Sequence, residues 1–537
     1  MQHIGWAAGW LLAWLVVLLS GTAVSLRLTR ARTAPGQGEA IRVDRECSPQ
    51  ERPRPDGQNR VTRWVRWHTG LLWIPVLMSL AGLVLAPSPL GFGPWRLDRL
   101  GWLMSLYIAL LGLMIQTYSV RHLHGDKRYP QYFTGLTWVT FAATATWMSG
   151  QLALFACGWT AMGVFLTALI GLRPEWDAAR TVAILSAKRF LLSAAAVGVA
   201  VVWLGLAAGS WEMPDALMRA ADLSALTRVG ISALLILAAL IQAGNLPFHR
   251  WLMESAVTPT PVSAVMHAGL VNAGGLLLAR MAPLFDLSGP VPHLVLLFFA
   301  WLSVAVGMGV MMVHVDYKRQ LVASTMAQMG LMLAQCALGA YDAAIVHLML
   351  HGLFKATLFL RSGSVVPRPE RLLAQTPGTA HRRAWARAGT VAVAILLGLA
   401  YWRLAPAEPA RALSGLFLAA GAVLAWRQAA PVRPGRWLGL GAVALAILIA
   451  EASRVHLDEF VRSILGAPVV SWPAVAVAAF VLFAGGALAV AWLAGHPSSR
   501  PAARLYLWLL WLGEPRPQAM EPHPRYLARY VKEATLQ

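Results

Sequence analysis

The sequence is short of charge, of acidic residues above all, and of cysteine. Only 13% of its 537 residues are charged, against 58% hydrophobic. Soluble domains carry about a quarter of their residues as charges, so this composition excludes an ordinary soluble enzyme and leaves a polytopic membrane protein. Asp and Glu number 24 against 45 Lys and Arg, a net charge of +21. Such an excess can mark a nucleic-acid partner, but here the basic residues sit mostly in loops between apolar segments, where membrane topology puts them. No nucleic acid is expected. The three cysteines, Cys47, Cys157 and Cys336, are scattered and show no ligand spacing. They support neither a disulfide framework nor a zinc or iron–sulfur site, so no metal or other cofactor is expected in this chain. The sequence also lacks a nucleophile–base pair, a phosphate loop and a soluble catalytic domain. It is not read as an enzyme.

What it has in abundance is long apolar runs. They fall near 5–26, 69–87, 100–119, 131–148, 150–172, 190–209, 229–246, 259–283, 292–313, 318–338, 341–361, 387–404, 411–426, 436–452 and 472–494, about fifteen membrane-spanning helices. The first could pass for a signal peptide, but the preceding MQH carries no basic residue and the run is long enough to span, so it is read as a retained helix. With the N-terminus outside, the Arg-rich 27–66, RHLHGDKR at 121–128, 173–189, 362–387 and the 427–436 turn all fall on the cytoplasmic side, as the positive-inside rule requires. The region from about 496 is then cytoplasmic as well, and SSRPAARLYLWLLWLGEPRPQ is amphipathic enough to lie on the membrane or, the reading preferred here, against a partner.

The chemistry concentrates in YDAAIVHLMLHGLFKATLFLRSGS, residues 341–364. His347, His351 and Lys355 recur at i, i+4 and i+8 and drift by only about 80° around a 3.6-residue helix, one ionisable stripe on one face. A lysine near a bilayer centre costs about 2.5–3.5 kcal/mol on the milder insertion scale, so the stripe faces protein or internal water, and a proton or ion path is the natural function. The alternative is a polar packing seam. A second departure is LIQAGNLPFHRWLMESAVTPTPVSAVMHAGLVNAGG at 240–275, where Asn245-Leu246-Pro247, Pro259 and Pro261 interrupt the helix. Broken helices at membrane depth line cavities. This one carries Gln242, His249, Glu254 and His267, the last deepest in an apolar run. A third stretch, HVDYKRQLVASTMAQMGLM at 314–332, puts Asp316, Lys318 and Arg319 at a helix mouth and Ser324, Thr325 and Gln328 further in. A plain cytoplasmic charge anchor would account for Arg319 better than for Lys318.

Three motifs carry a resemblance: TYSVRHLHGDKRYPQYF at 117–133, NLPFHRWLMESAVTPTPVSAVMHAG at 245–269, and DYKRQLVASTMAQMGLM followed by AAIVHLMLHGLFKATLFLRSGSVV through 366. In this order and spacing the chain resembles the antiporter-like membrane subunits of respiratory complex I, related hydrogenases and multisubunit cation/proton antiporters. The resemblance implies an all-α fold with two inverted five-helix repeats, each with a broken helix, at about 131–283 and 292–426. They would be flanked by N-terminal helices and a basic loop in 1–130, C-terminal helices in 427–495 and an amphipathic tail in 496–537. It carries over a proton pathway at His267, Lys318, His347, His351 and Lys355, with Glu254 where the family has an acidic residue. A histidine exchanges protons near neutral pH, and a desolvated lysine can serve as a switchable base.

Two departures matter. Where the family has a Trp-Glu pair this chain reads GWTAMG, placing Thr160 at the glutamate, and Gln242 stands at the lysine that glutamate would partner. Nor does 387–404 carry a central charge or 453–471 a long lateral strut helix. Those absences point away from a standard complex I subunit and toward the membrane subunit of DAB-type inorganic-carbon transport complexes. That branch implies a location in the bacterial cytoplasmic membrane and a large soluble zinc partner on the cytoplasmic side, DabA-like and similar to a β-carbonic anhydrase. A flow of protons or sodium would then drive one-way hydration of CO2 to bicarbonate by that partner, where the catalysis would lie. The runner-up is a proton-translocating subunit of a redox, hydrogenase or antiporter complex; a third reading is a membrane platform whose channel has decayed.

Overall fold

Inside a bilayer the backbone must satisfy its own hydrogen bonds, and long apolar runs do this as helices. The structure is a computed structural model that describes residues 2–33, 55–126, 128–362, 456–457, 459–465, 472–496 and 498–514. The chain begins with α1 (Gln2–Thr33), α2 (Pro55–Leu71) and α3 (Trp73–Leu85), then a hairpin of β1 (Leu90–Phe92) and β2 (Trp95–Leu97), antiparallel with Leu90 opposite Leu97. Next come α4 (Arg99–His122), α5 (Tyr129–Trp147), α6 (Leu152–Ile170), α7 (Asp177–Ala208), the short α8 (Met213–Met218) and α9 (Ala225–Gln242). The interrupted stretch follows as α10 (Arg250–Glu254), α11 (Thr260–Ala268), α12 (Ala273–Arg280) and α13 (Ala282–Asp286). Then α14 (Pro290–Val313), α15 (Tyr317–Ala337) and α16 (Tyr341–Ser362) run up and down beside one another, and α17 (Pro473–Gly495) and α18 (Arg500–Gly513) complete the described elements.

Among the described residues ten helical stretches are long and apolar enough to cross a membrane. Two further expected runs, 131–148 and 318–338, also form long helices, α5 and α15, which are enclosed by their neighbours and carry more Thr, Ser and Gln. The expected spans at 387–404, 411–426 and 436–452 lie outside the described residues, as do Cys47, residues 363–426 of the second repeat with its expected broken helix, and the tail beyond 514. The described part is thus a multi-pass helical membrane protein, apolar on its outer surface as well as in its core. Leu191, Val199 and Leu206 on α7 are exposed on the outside, and a minority of serine, threonine, glutamine, histidine and lysine side chains is buried among the apolar residues of the interior.

Two polar residues start helices that matter for the site. Asp98 accepts the Gly101 amide at 2.7 Å to begin α4, and Asp316 accepts the Lys318 amide at 2.8 Å to begin α15. The Asn-Leu-Pro interruption does what its composition dictates. Helix α9 stops at Gln242, Gly244 turns with φ +61°, and the freed Leu246 amide is taken by Ser303 Oγ of α14 at 3.0 Å. Beyond the breaks at Pro247 and Pro259, a third interruption, which the sequence did not reveal, falls right after His267. There α11 ends at Ala268 and a single 3-10 turn, Leu270–Asn272, precedes α12. The Ala268 carbonyl accepts Asn272 Nδ2 at 2.6 Å and Tyr107 Oη from α4 at 3.3 Å.

Candidate functional site

The ionisable stripe of α16 faces α15 and α11. His347 sits between two glutamines of α15, with Nδ1 3.0 Å from Gln335 Oε1 and Nε2 3.1 Å from Gln328 Oε1. One helical turn on, His351 is buried, its ring 5.8 Å from that of His347, and its Nε2 has no hydrogen-bond partner. A further turn on, Lys355 is only 1% exposed; its Nζ donates to the Leu321 carbonyl at 2.8 Å and to Ser324 Oγ. The stripe continues with Phe359, on which His267 of α11 lies flat, the ring centroids 4.3 Å apart and the planes within 4°. His267 is wholly buried, and neither ring nitrogen has a partner. Buried polar groups are normally hydrogen-bonded, and here two histidines and a lysine are enclosed side by side in an apolar bundle.

Close approach of these elements depends on one residue without a side chain. A Cβ on Gly352 would fall 1.7 Å from Tyr107 Oη and 2.5 Å from the Ala268 carbonyl. Glycine between His351 and Lys355 therefore lets α16 rest directly on the interruption in α11–α12. Tyr107 clasps both sides, donating to the Ala268 and Leu348 carbonyls at 3.3 and 3.2 Å.

Lys318 and Arg319 part company at the start of α15. Lys318 turns inward, and its Nζ donates to the Thr258 carbonyl in the turn before α11. Arg319 turns outward, to Asp316 Oδ2 at 3.6 Å and the Gly513 carbonyl of α18 at 3.3 Å. Glu254 is buried at the end of α10, which packs against α15 and α7, four residues before Thr258. His347, His351, Lys355, His267 and Lys318 thus share the seam between α11, α15 and α16, with Glu254 at its Lys318 end. The sequence reading missed Gln335, Phe359, Tyr107 and the backbone carbonyls of Leu321 and Thr258. Only the phase of Phe359, four residues after Lys355, signalled any of these.

The positions of the missing pair are placed differently. Thr160 is exposed and returns its hydroxyl to the Ala156 carbonyl of its own helix at 2.8 Å, while its neighbour Trp159 is the buried residue and donates to Ser193 Oγ at 3.1 Å. Gln242 is buried at the end of α9, with its amide nitrogen unbonded. The N-terminal helices do hold a polar chain, shared with α5, that the sequence reading overlooked. Ser20 Oγ lies 2.7 Å from His68 Nδ1, His68 Nε2 lies 2.9 Å from Thr137 Oγ1, and Gln116 donates to Thr137 at 3.1 Å. It braces α1 and α2 against α4 and α5 and contains neither lysine nor carboxylate.

Comparison with known proteins identifies the family. Residues 149–399 match the model of the NADH:quinone oxidoreductase/Mrp antiporter transmembrane family, and residues 93–133 that of the N-terminus of chain 5 of NADH-ubiquinone oxidoreductase, complex I. The chain is 43% identical over 479 residues to the probable inorganic carbon transporter subunit DabB of Bacillus subtilis, covering 87% of this chain and 93% of that protein. Against the protein of the same name in Bacillus anthracis it is 38% identical, covering 88% and 92%. The NADH-quinone oxidoreductase subunit L of Mycobacterium tuberculosis is 28% identical, covering 74% and 63%. Among solved structures, a chain of the Mrp complex from Dietzia sp. has a TM-score of 0.54 at 20% identity, covering 89% of this chain and 53% of that one. A chain of an archaeal membrane-bound sulfane sulfur reductase has a TM-score of 0.55 at 15% identity, covering 98% and 99%. The chain belongs to the antiporter-like membrane subunits of the NADH:quinone oxidoreductase/Mrp antiporter family and, within them, to the DabB branch.

Proposed function

We propose that this chain is the cation-conducting membrane subunit of an inorganic-carbon transport complex. Protons or sodium ions moving through the α11–α15–α16 seam would energise conversion of CO2 to bicarbonate by a bound, DabA-like zinc subunit on the cytoplasmic side of a bacterial inner membrane. The observation that carries the reading is Lys355, 1% exposed, in series with His351 and His347 along one helix face and with His267 packed against the same face. Ionisable groups at this depth are expensive for a helix bundle that only has to hold together. Their spacing of one helical turn, about 6 Å, suits hand-over of a proton by side-chain rotation or an intervening water. Lys318 and Glu254 stand at one end of the same seam, where a cation would enter or leave.

Conduction through the first half has little to support it. Thr160 lies on the outside and Gln242 carries no charge, so pairwise charge switching there has neither partner. The relatives named as probable inorganic carbon transporter subunits over nearly their full length favour coupling to carbon uptake; catalysis and zinc would belong to the partner chain. The second reading, a proton-translocating subunit of a complex I-like assembly, draws on the similarity to subunit L, and the lost Glu/Lys pair weighs against it. Affinity purification from native membranes, with mass spectrometry and metal analysis of the bound chains, separates the two. A single large soluble zinc protein is the expected result; quinone-reductase, hydrogenase or antiporter subunits would move the chain to the second reading.

A further inference from the structure

We propose that Asp286, His293 and Tyr341 form the second mouth of the cation path, at the end of the bundle opposite Lys318; the inference rests on the reading that the seam conducts. Connectivity fixes the two ends. Lys318 follows the turn between α14 and α15, whereas Asp286 lies between α12 and α14, and Tyr341 follows the turn between α15 and α16. With the N-terminus outside, the Asp286 end is the outer one.

The cluster is buried and incompletely bonded. Asp286 is 9% exposed and accepts the Tyr341 hydroxyl at 2.8 Å, yet among the described residues no lysine or arginine pairs with it. Asp98 at the same end differs, since it is held by Arg280 and Arg96. His293 is wholly buried, with Nδ1 2.8 Å from the Ala337 carbonyl, so Nδ1 carries the hydrogen. Its Nε2 has no hydrogen-bond partner and points at Asp286 Oδ1 across 3.8 Å, too long for a direct bond and short enough for an arriving proton to close. Burial raises the Asp286 carboxyl to about 7, so it exchanges its proton in the physiological range.

The cluster also joins the stripe. Tyr341 opens α16, and His347 lies six residues further along it, about 9 Å by helical rise. The last turn of α15 serves both groups: Gln335 holds His347 Nδ1, and the Ala337 carbonyl holds His293 Nδ1. A proton arriving at Asp286 is shared with His293 Nε2 and then leaves the carboxyl along a water chain past Tyr341, towards Gln335 and His347. The competing role is a clamp that ties α13 to α16. Asp286→Asn separates the two, because an amide keeps the shape and still accepts the Tyr341 hydroxyl but carries no exchangeable proton.

The test uses the purified full chain, with its partner if one co-purifies, in liposomes under an imposed pH gradient, read by an internal pH dye. Wild type, Asp286→Asn, Asp286→Glu and Lys355→Ala are compared, alongside labelling of the wild type by dicyclohexylcarbodiimide at pH 7 mapped by mass spectrometry. The expected result is flux at least tenfold lower in Asp286→Asn with an unchanged thermal midpoint, recovery in Asp286→Glu, and carbodiimide adduct on Asp286. Wild-type flux in Asp286→Asn while Lys355→Ala is dead would overturn the mouth and leave the seam standing. Equal flux in every variant would remove the conduction reading and the mouth with it. Absence of the adduct would overturn the mouth whatever the flux.

Discussion

Arginine in place of Lys355 is the sharpest perturbation of the seam, because it keeps the charge and removes the ability to give up a proton. Lys355 Nζ donates to the Leu321 carbonyl at 2.8 Å and to Ser324 Oγ. A hydrogen bond to a charged group contributes about 1.5–3 kcal/mol, so a contact of this kind made or broken only as the proton moves changes the rate about 10- to 150-fold. Folding is affected far less. The Leu321 carbonyl also accepts the Ser324 and Thr325 hydroxyls at 2.8 and 3.0 Å, so truncation of Lys355 orphans no acceptor there. Lys355→Ala and Lys355→Arg should therefore both assemble with partner subunits at wild-type levels and both lose at least about tenfold in cation flux, measured in liposomes with a pH-sensitive or sodium-sensitive dye. Wild-type flux in Lys355→Arg would refute the relay role, and wild-type flux in both would reduce the stripe to packing.

Three further outcomes are expected. Gly352→Ala drives a methyl group against Tyr107 and the Ala268 carbonyl and should destabilise the chain by about 1–3 kcal/mol, seen as a lower thermal midpoint in detergent; an unchanged midpoint would mean that α16 does not rest on the α11 interruption. Thr160→Ala removes an exposed hydroxyl bonded only to its own helix and should leave transport intact, whereas a dead variant would reveal a route through the first half. Truncation after Gly495 removes α18, which the Gly513–Arg319 bond and the Arg250 guanidinium over Trp511 at 5.6 Å fix beside the seam. This helix exposes Leu507 and Trp511; if it docks a soluble partner, truncation should release that partner on co-purification, and an intact complex would discard that role.

Much of the helical architecture was legible because lipid enforces it. Runs such as 292–313 and 341–361 admit only helices, and Pro247 marked the break that the structure realises through Gly244 and the Leu246–Ser303 bond. The stripe was legible too, since its i, i+4, i+8 spacing is a statement about one helix. What lies across from it was not. The flat stack of His267 on Phe359, the two glutamines bracketing His347 and the carbonyls receiving Lys355 and Lys318 are contacts between elements far apart in sequence. The 3-10 turn after Ala268 escaped notice because it is sustained from outside, by Tyr107 and Asn272 serving one carbonyl. The Asp286 cluster escaped for the same reason, since a loop aspartate in a membrane protein reads as exposed until Tyr341 and His293 are seen around it.

The most direct test of energy coupling through the seam is uptake of radiolabelled inorganic carbon by cells that lack carbonic anhydrase and depend on this complex. Uptake should collapse when a protonophore or a sodium ionophore dissipates the driving gradient, and equally in Lys355→Ala cells that assemble the complex at normal levels. Accumulation that persists with both gradients dissipated, or undiminished in Lys355→Ala, would contradict it and leave the membrane chain as a platform.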